Sequence, residues 1–350
     1  MAGRNLDRAG NGEACRRSVD ACRPERIGGA GRMTLDGVIV PERPGEIRAC
    51  LVVRDEALRL PSTLDHHRRL GVDRFLVIDN GSVDGTQDLL TAQPDVHMFQ
   101  TSETFAASHD GLTWSNAVRD AFCDGHWTLS VDADEQLIYP GVETLDLRAL
   151  CEVLEAQSAD CLLAFLLDMY NDGDVAEALH DPARPLLETC SWFDPGPYRV
   201  RRGGPFPSIS IYGGPRDRMI EFQPYQEGPP LLTKVPLVRW RRGMRYLLST
   251  HRMSPARLFP AIGALLHFKF LSDFSDRVET AVAGGWHAGA EREFLAYRAH
   301  AHANPRMRFH HTGSVRYEDS DQLVRLGVMY SNPALDAAIQ SAQVRGSQTP

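Results

Sequence analysis

Between Ile47 and Leu167 the chain repeats one pattern: a strand-length apolar run, then a segment with helical spacing. Ile47 to Val53 is apolar with one interruption, Arg48, as expected of a strand buried on both faces. Glu56 to Leu70 follows with leucines at 58, 64 and 70 and stops at Gly71, which reads as a helix. Arg74 to Ile78, Val96 to Phe99, Trp127 to Val131 and Cys161 to Leu167 read as further strands. Helices are predicted from near Val83, over Leu112 to Phe122 and over Leu145 to Ala156. Strands alternating with helices at this spacing predict a parallel α/β sheet with right-handed crossovers, whose ligands bind outside the carboxyl ends of the strands. Three polar clusters fall at those predicted ends: Arg54-Asp55-Glu56, Asp79-Asn80-Gly81-Ser82 and Asp132-Ala133-Asp134-Glu135. Their coincidence is more specific than any one of them.

The third cluster puts three carboxylates into four residues. At the tip of a buried strand they repel one another and cost desolvation unless something positive sits among them. Either they are a solvated strand exit, or they hold a divalent cation by hard oxygen ligands, Mg²⁺ or Mn²⁺, which usually brings phosphate with it. The second cluster continues as Asp79-Asn80-Gly81-Ser82-Val83-Asp84-Gly85-Thr86. As structure it is a turn and helix start, with Ser82 or Asp84 as cap and two glycines for the tight backbone. As function, Asp79 can accept a hydrogen bond from a heterocyclic N–H, and the helix start can face a negatively charged ligand.

Bulk properties narrow the class. A net charge of −8 argues against a nucleic-acid partner, which calls for a basic face. Seven scattered cysteines contain no C-x-x-C pair, so neither a zinc site nor a disulfide framework is indicated. Cys50, Cys151 and Cys161 sit in apolar surroundings as small core residues, and this usage fits a reducing cytoplasm. No apolar run reaches the roughly 20 residues needed to span a bilayer, and the first 35 residues hold no signal-like stretch. The expectation is a cytoplasmic protein, with peripheral contact at the inner membrane face left open.

The order and spacing of Val52-Val53-Arg54-Asp55-Glu56, Asp79 to Thr86 and Asp132 to Glu135 resemble family 2 type glycosyltransferases of GT-A fold. Gly213-Gly214-Pro215-Arg216, Lys234-Val235-Pro236-Leu237-Val238 and Leu265-Leu266-His267-Phe268-Lys269-Phe270 look like a bacterial subgroup of that clan. The resemblance implies a Rossmann-like, mostly parallel sheet flanked by helices, with irregular acceptor-side loops and C-terminal helices. It makes residues 46–340 one glycosyltransferase domain, with 46–170 as its nucleotide-binding half and 171–340 as its acceptor-binding half. Residues 1–45 read as a disordered leader and 341–350 as a loose tail.

Carried over residue by residue, Val53, Arg54, Asp55, Glu56 and Asp79 would hold the base and ribose of a nucleotide-sugar, most often a UDP-sugar. Asp132 would lie near ribose and metal, and Asp134 would bind Mg²⁺ or Mn²⁺ at the diphosphate, a Lewis-acid role. Glu135 would support the turn. An inverting member also needs a carboxylate base near the acceptor hydroxyl. Here no clear Glu-Asp pair occurs between residues 180 and 250; the candidates are Asp217, Glu221 and Glu227, each otherwise an ordinary loop acid. His267 is either a core histidine or a third metal ligand, since imidazole suits Mn²⁺, and His251 is a weaker candidate of that kind. Lys269 would meet the diphosphate. Trp114 reads as core, and Asn116 could contact sugar or diphosphate. Trp240-Arg241-Arg242 with Arg245-Tyr246 is a basic aromatic patch that suits acceptor phosphate, a membrane surface or a solvated hairpin rim.

The reading is a metal-dependent glycosyltransferase moving a sugar from a nucleotide donor to a glycan or lipid-linked acceptor, as in polysaccharide biosynthesis. A nucleotidyltransferase would carry a Gly-rich phosphate loop after the first strand, where this chain has Arg54-Asp55-Glu56. A catalytically silent nucleotide-sugar or glycan-binding module is the other alternative, kept open by the missing base.

Overall fold

The structure is a computed structural model describing residues 33, 35, 37–220, 229–284 and 291–347. The apolar runs of the first half form β1 (Ile47–Val53), β2 (Arg74–Asp79), β3 (Val96–Gln100), β4 (Trp127–Ser130) and, after a short β5 (Glu135–Ile138), β6 (Cys161–Asp168). Between them run α1 (Leu60–Leu70), α2 (Thr86–Thr91), α3 (Leu112–Phe122) and α4 (Leu147–Ala156). Helix α1 starts four residues later than the spacing suggests because Pro61 fits a first turn, where no N–H is needed. Helix α4 starts at its cap: Asp146 accepts from Ala149 N at 2.8 Å.

The second half is more broken. It contains α5 (Leu186–Thr189), β7 (Trp192–Phe193), β8 (Arg199–Arg202), β9 (Ile209–Tyr212), α6 (Gly214–Met219), β10 (Thr233–Arg239), β11 (Tyr246–Leu248) and β12 (Arg252–Met253). Then come β13 (Leu258–His267), α7 (Phe274–Gly284), α8 (Glu291–Ala303), β14 (Val315–Arg316), α9 (Ser320–Arg325) and α10 (Pro333–Ser347). No helix among the described residues is long and apolar enough to cross a membrane.

Among the described residues the main sheet has eight strands in the order β3-β2-β1-β4-β10-β6-β13-β5. Strands β1, β2, β3, β4, β6 and β13 run one way; β10 and β5 run against their neighbours. The fold is the expected Rossmann-like, mostly parallel α/β sheet flanked by helices. The two reversed strands matter for the site, because they bring their first residues to the edge where the other six end.

Three expectations give way to tertiary context. The chain from Pro255 to Gly284 reads as mostly helical, yet Leu258–His267 is an interior strand between β6 and β5. Its run Ala261-Ile262-Gly263-Ala264-Leu265-Leu266 has no period, so spacing alone cannot separate a helix from a strand buried on both faces. Pro260 sits where the register against β6 shifts, so its missing N–H breaks no ladder bond. At Gly263 a Cβ would lie 2.7 Å from Ile138 O, so only glycine lets β5 approach. The expected tail is helical as far as Ser347, because Leu335, Ala338, Ile339 and Ala342 form one apolar stripe packed on the core; residues 348–350 lie outside the described ones. The last part of the expected leader is also ordered: Met33, Leu35, Val38 and Val40 pack on a second apolar cluster, and residues 1–32 lie outside the described ones.

Five cysteines, Cys50, Cys123, Cys151, Cys161 and Cys190, are buried free thiols, while Cys15 and Cys22 lie outside the described residues.

Candidate functional site

The ends of β1 and β2 are laced together before any ligand is considered. Ser82 Oγ accepts from Asp55 N at 2.9 Å, Thr86 Oγ1 from Glu56 N at 2.8 Å and Asp84 from Ala57 N at 2.9 Å. Asp55, held at φ 53°, accepts from Val83 N at 2.7 Å in return. Of the two expected caps, Asp84 serves the helix start, accepting from Thr86 N at 2.9 Å; Ser82 serves the neighbouring loop. Asp79 is fully buried at the tip of β2. Its Oδ2 accepts from Gly81 N, Ser82 N and Gln87 Nε2, whereas its Oδ1 has no hydrogen-bond partner among the described residues. A buried acceptor left open costs free energy, about 1–3 kcal/mol, unless a ligand donor completes it.

Two strands away, the loop after β4 delivers the carboxylate cluster. Asp134, Glu135 and His267 each offer one ligand atom, all within 4.8 Å of one another. His267 ends β13, in register with Asp168 of β6 on one side and Glu135 of β5 on the other. Its Nδ1 lies 2.6 Å from Asp168 Oδ1 and its Nε2 3.4 Å from Asp134 Oδ2. Burial alone would lower this imidazole, but Asp134 and Asp168 raise it to about 8. Burial likewise opposes charge on Asp134, yet His267, Lys269 and Arg59 hold it far below the ordinary carboxylate range. Glu135 goes the other way: burial, reinforced by Asp132, pushes it up to about 7 against the pull of Lys234.

Lys234, the second residue of β10, is the internal counter-charge. Its Nζ is 3.0 Å from Asp132 Oδ2 and 2.9 Å from Glu135 Oε1. The approach to Glu135 is an ion-pair distance without hydrogen-bond alignment, so that buried oxygen also lacks a hydrogen bond. Behind His267, Asp168 takes Arg216 Nε at 2.8 Å, and Arg216 reaches Glu293 and the Tyr297 hydroxyl at 3.4 Å each.

The sequence-predicted residues divide clearly. Asp79 at the end of β2, Asp134 in the loop after β4 and His267 at the end of β13 all lie at the carboxyl edge. Asp132 is tied to Lys234, and Glu135 takes its place in the group of three that could hold an ion; Glu135 supports the turn as well, accepting from Asp132 N at 3.1 Å. Val53 is core. Glu56 is held by Arg277 and Arg59, which close the loop from the far side. Arg54 is half-buried beside Asp55. Lys269 lies over the rings of Phe294 and Tyr297, at 5.4 and 5.3 Å. Asn116 clamps β11: its Oδ1 accepts from Tyr246 N at 3.0 Å and its Nδ2 donates to Tyr246 O at 3.1 Å. Trp114 is core, its Nε1 donating to Glu103 at 2.6 Å. Asp217 is engaged by Arg199 at 2.7 Å, and Glu221 and Glu227 lie outside the described residues. In the basic aromatic patch, Arg241 pairs with Asp160 and Arg245 with Asp120, at the edge where β4 begins rather than where it ends.

No family model matches this sequence, and no curated protein matches it. Solved structures do overlap with it in part. A 4-diphosphocytidyl-2C-methyl-D-erythritol synthase matches over 37% of this chain and 64% of its own, at 16% identity and TM-score 0.24. A UDP-glucose pyrophosphorylase from Acinetobacter baumannii matches over 55% and 74%, at 10% identity and TM-score 0.27. WbbM, a bifunctional glycosyltransferase, matches over 39% and 25%, at 15% identity and TM-score 0.24. The chain thus spans less than two thirds of the synthase and a quarter of WbbM, and overlap this slight assigns it no activity.

Sequence reasoning passed over Asp168 and gave Arg216 and Lys234 no role beyond their place in the motifs of the resemblance. Asp168 carried the same signature as Asp79, an acid closing an apolar run, and was open to the same logic. Lys234 is a lone cation inside the apolar run Leu231 to Leu237. Arg216 had no such signal.

Proposed function

We propose that the chain is a metal-dependent glycosyltransferase, transferring a sugar from a nucleotide-sugar, a UDP-sugar by the sequence resemblance, to a glycan or lipid-linked acceptor. One observation carries this: the same sheet edge holds an open buried acceptor at Asp79 Oδ1 and an ion-ready group at Asp134, Glu135 and His267. Asp79 ends β2, while the ion-ready group gathers Asp134 from the loop after β4, Glu135 from the start of β5 and His267 from the end of β13.

Two carboxylates and an imidazole are a donor set for Mn²⁺ or Mg²⁺. A cation there would neutralise charge on the departing nucleoside diphosphate. The protein's own part is positioning. Asp168 takes the Nδ1 proton of His267 and so turns Nε2 toward Asp134. Lys234 keeps Asp132 and Glu135 from repelling one another. Asp132 would lie near the ribose, and Arg54, the residue after β1, would border it. The nucleotidyltransferase reading is weaker because the N–H groups of Asp55 and Glu56 are already taken by Ser82 and Thr86, leaving no open backbone cradle there for a triphosphate.

The test is a panel of UDP- and GDP-sugars with Mn²⁺, scored for binding and for nucleoside diphosphate release. Binding and release together support transfer. Binding without release, across varied acceptors, would leave a silent binding module, and no binding at all would sink the proposal.

A further inference from the structure

We propose that the hairpins β8–β9 and β11–β12 form a docking face for an anionic lipid bilayer. Its use, bringing a lipid-linked acceptor to the site, rests on the glycosyltransferase reading above. The chain has a net charge of −8, yet residues 195–216 and 228–272 contain no aspartate or glutamate. The same two stretches hold ten arginines and two lysines. Both hairpins lie within them.

The buried Arg252 of β12 ties the hairpins together. Its Nη1 donates to Ile209 O at 2.9 Å and its Nη2 to Ser210 Oγ, and Met253 N donates to Phe206 O at 3.3 Å. All four residues of β8 are exposed, Val200 by 55%. In β11, Tyr246 stacks on the buried Trp240, while Leu247 and Leu248 stand 57% and 52% exposed. On these hairpins the guanidinium is the outer partner of each ion pair. Arg199 is 57% exposed against 21% for Asp217, Arg241 54% against 5% for Asp160, and Arg245 45% against 21% for Asp120. The side chains of Arg201, Arg202 and Arg242 make no ion pair among the described residues; Arg201 lies over the Tyr212 ring at 5.5 Å. Exposed leucines among outward arginines are what a bilayer surface takes: apolar side chains enter the headgroup boundary, and guanidinium forks meet lipid phosphates. A soluble polyanion would use the arginines and leave the leucines in water.

Both hairpins meet the start of β10. Ile211 N donates to Thr233 Oγ1 at 2.9 Å. In the turn between β11 and β12, His251 Nδ1 donates to Thr233 O at 2.7 Å, and Thr250 O accepts from Val235 N at 2.9 Å. The next residue after Thr233 is Lys234, the cation of the carboxylate cluster. A bilayer held on this face therefore borders the carboxyl edge, where an acceptor anchored in it would present its hydroxyl.

The test is co-sedimentation of the full chain, without nucleotide-sugar, with vesicles of phosphatidylcholine alone and of phosphatidylcholine mixed with phosphatidylglycerol. Binding is expected to the mixed vesicles, to weaken with added salt, and to be much lower on phosphatidylcholine. Replacing both leucines (Leu247→Ser with Leu248→Ser) should lower the partition coefficient about tenfold. Arg201→Gln with Arg202→Gln should lower it about 25-fold, at roughly fivefold per arginine. Thermal melts check that each variant folds; if one does not, Arg242→Gln, expected to lose about fivefold, takes its place. Absence of binding to mixed vesicles overturns the proposal, and so does unchanged binding by the variants, which puts the contact elsewhere on the chain. Loss with the arginine pair but not the leucine pair, together with release by heparin, makes the partner a soluble polyanion and overturns the bilayer. Vesicle binding needs no donor. A chain that binds vesicles and no nucleotide-sugar therefore keeps this face and loses the glycosyltransferase reading, while one that binds donor and no vesicle does the reverse.

Discussion

Two buried charge networks occupy opposite edges of one sheet, and they are built differently. At the amino edge, Glu46 grips Arg74 at 2.6 and 3.1 Å and Arg48 at 3.2 Å. Glu42 adds Arg48 at 3.2 Å and His126 at 2.6 Å, and Arg48 also donates to the carbonyls of Pro41 and Phe122. Among the described residues, the one buried atom of that network without a hydrogen bond is a donor, Arg48 Nε. At the carboxyl edge the unpartnered buried atoms among the described residues include three acceptors, Asp79 Oδ1, Glu135 Oε1 and Glu56 Oε2, besides a donor, Arg216 Nη2. Both networks carry the desolvation cost of buried charge. Only the second is left with open oxygens, and oxygens are what a cation and a base N–H need. Closed networks of this kind hold a fold together; open ones await a ligand.

Breaking each edge in turn should separate these roles. Asp134→Ala is expected to remove Mn²⁺-dependent donor binding altogether by calorimetry; unchanged affinity would move the metal elsewhere. At the other edge, Glu46→Gln leaves Arg48 and Arg74 buried and short of charge. It should cost about 3–5 kcal/mol in urea unfolding and leave donor affinity intact; a cost below about 1 kcal/mol would mean that those arginines are effectively solvated.

Asp168→Asn sharpens the contrast within the carboxyl edge. By loosening His267 it should weaken Mn²⁺ about 10–100-fold, and an unaltered Mn²⁺ titration would exclude His267 as a ligand. The smallest effect is at Asp160, again on the amino edge. Hydrogen bonds from Arg257, opposed by burial and helped by Arg241, hold it at about 2 against an ordinary 3.8. A depressed carboxylate stabilises the fold above its unfolded value and loses that contribution as pH falls through the folded one. Asp160→Asn should therefore cost about 1–2 kcal/mol at pH 7, after discounting for the exposed arginines, and the gap should close between pH 4 and 2 in thermal melts. A gap independent of pH would show that shape, not charge, is what the arginines need.

Much of the first half was legible. Asp79 and Asp134 end apolar runs, and a strand period tells which end of the sheet such residues reach. Asn116 shows the limit of that reasoning: its helix was read correctly, but the Tyr246 backbone that it clamps is 130 residues away. Strand β13 shows another, since an apolar run without period takes its conformation from the neighbours that bury it.

By itself, then, the sequence determined the alternating α/β plan and the acids at the strand tips, because burial period and charge at a boundary are local properties. The tertiary structure decided which partners meet those acids. Lys234 and Glu135 arrive because β10 and β5 run backwards, and His267 joins Asp168 because β13 inserts between β6 and β5. Strand order and direction are set by packing over the whole sheet, and no local pattern encodes them.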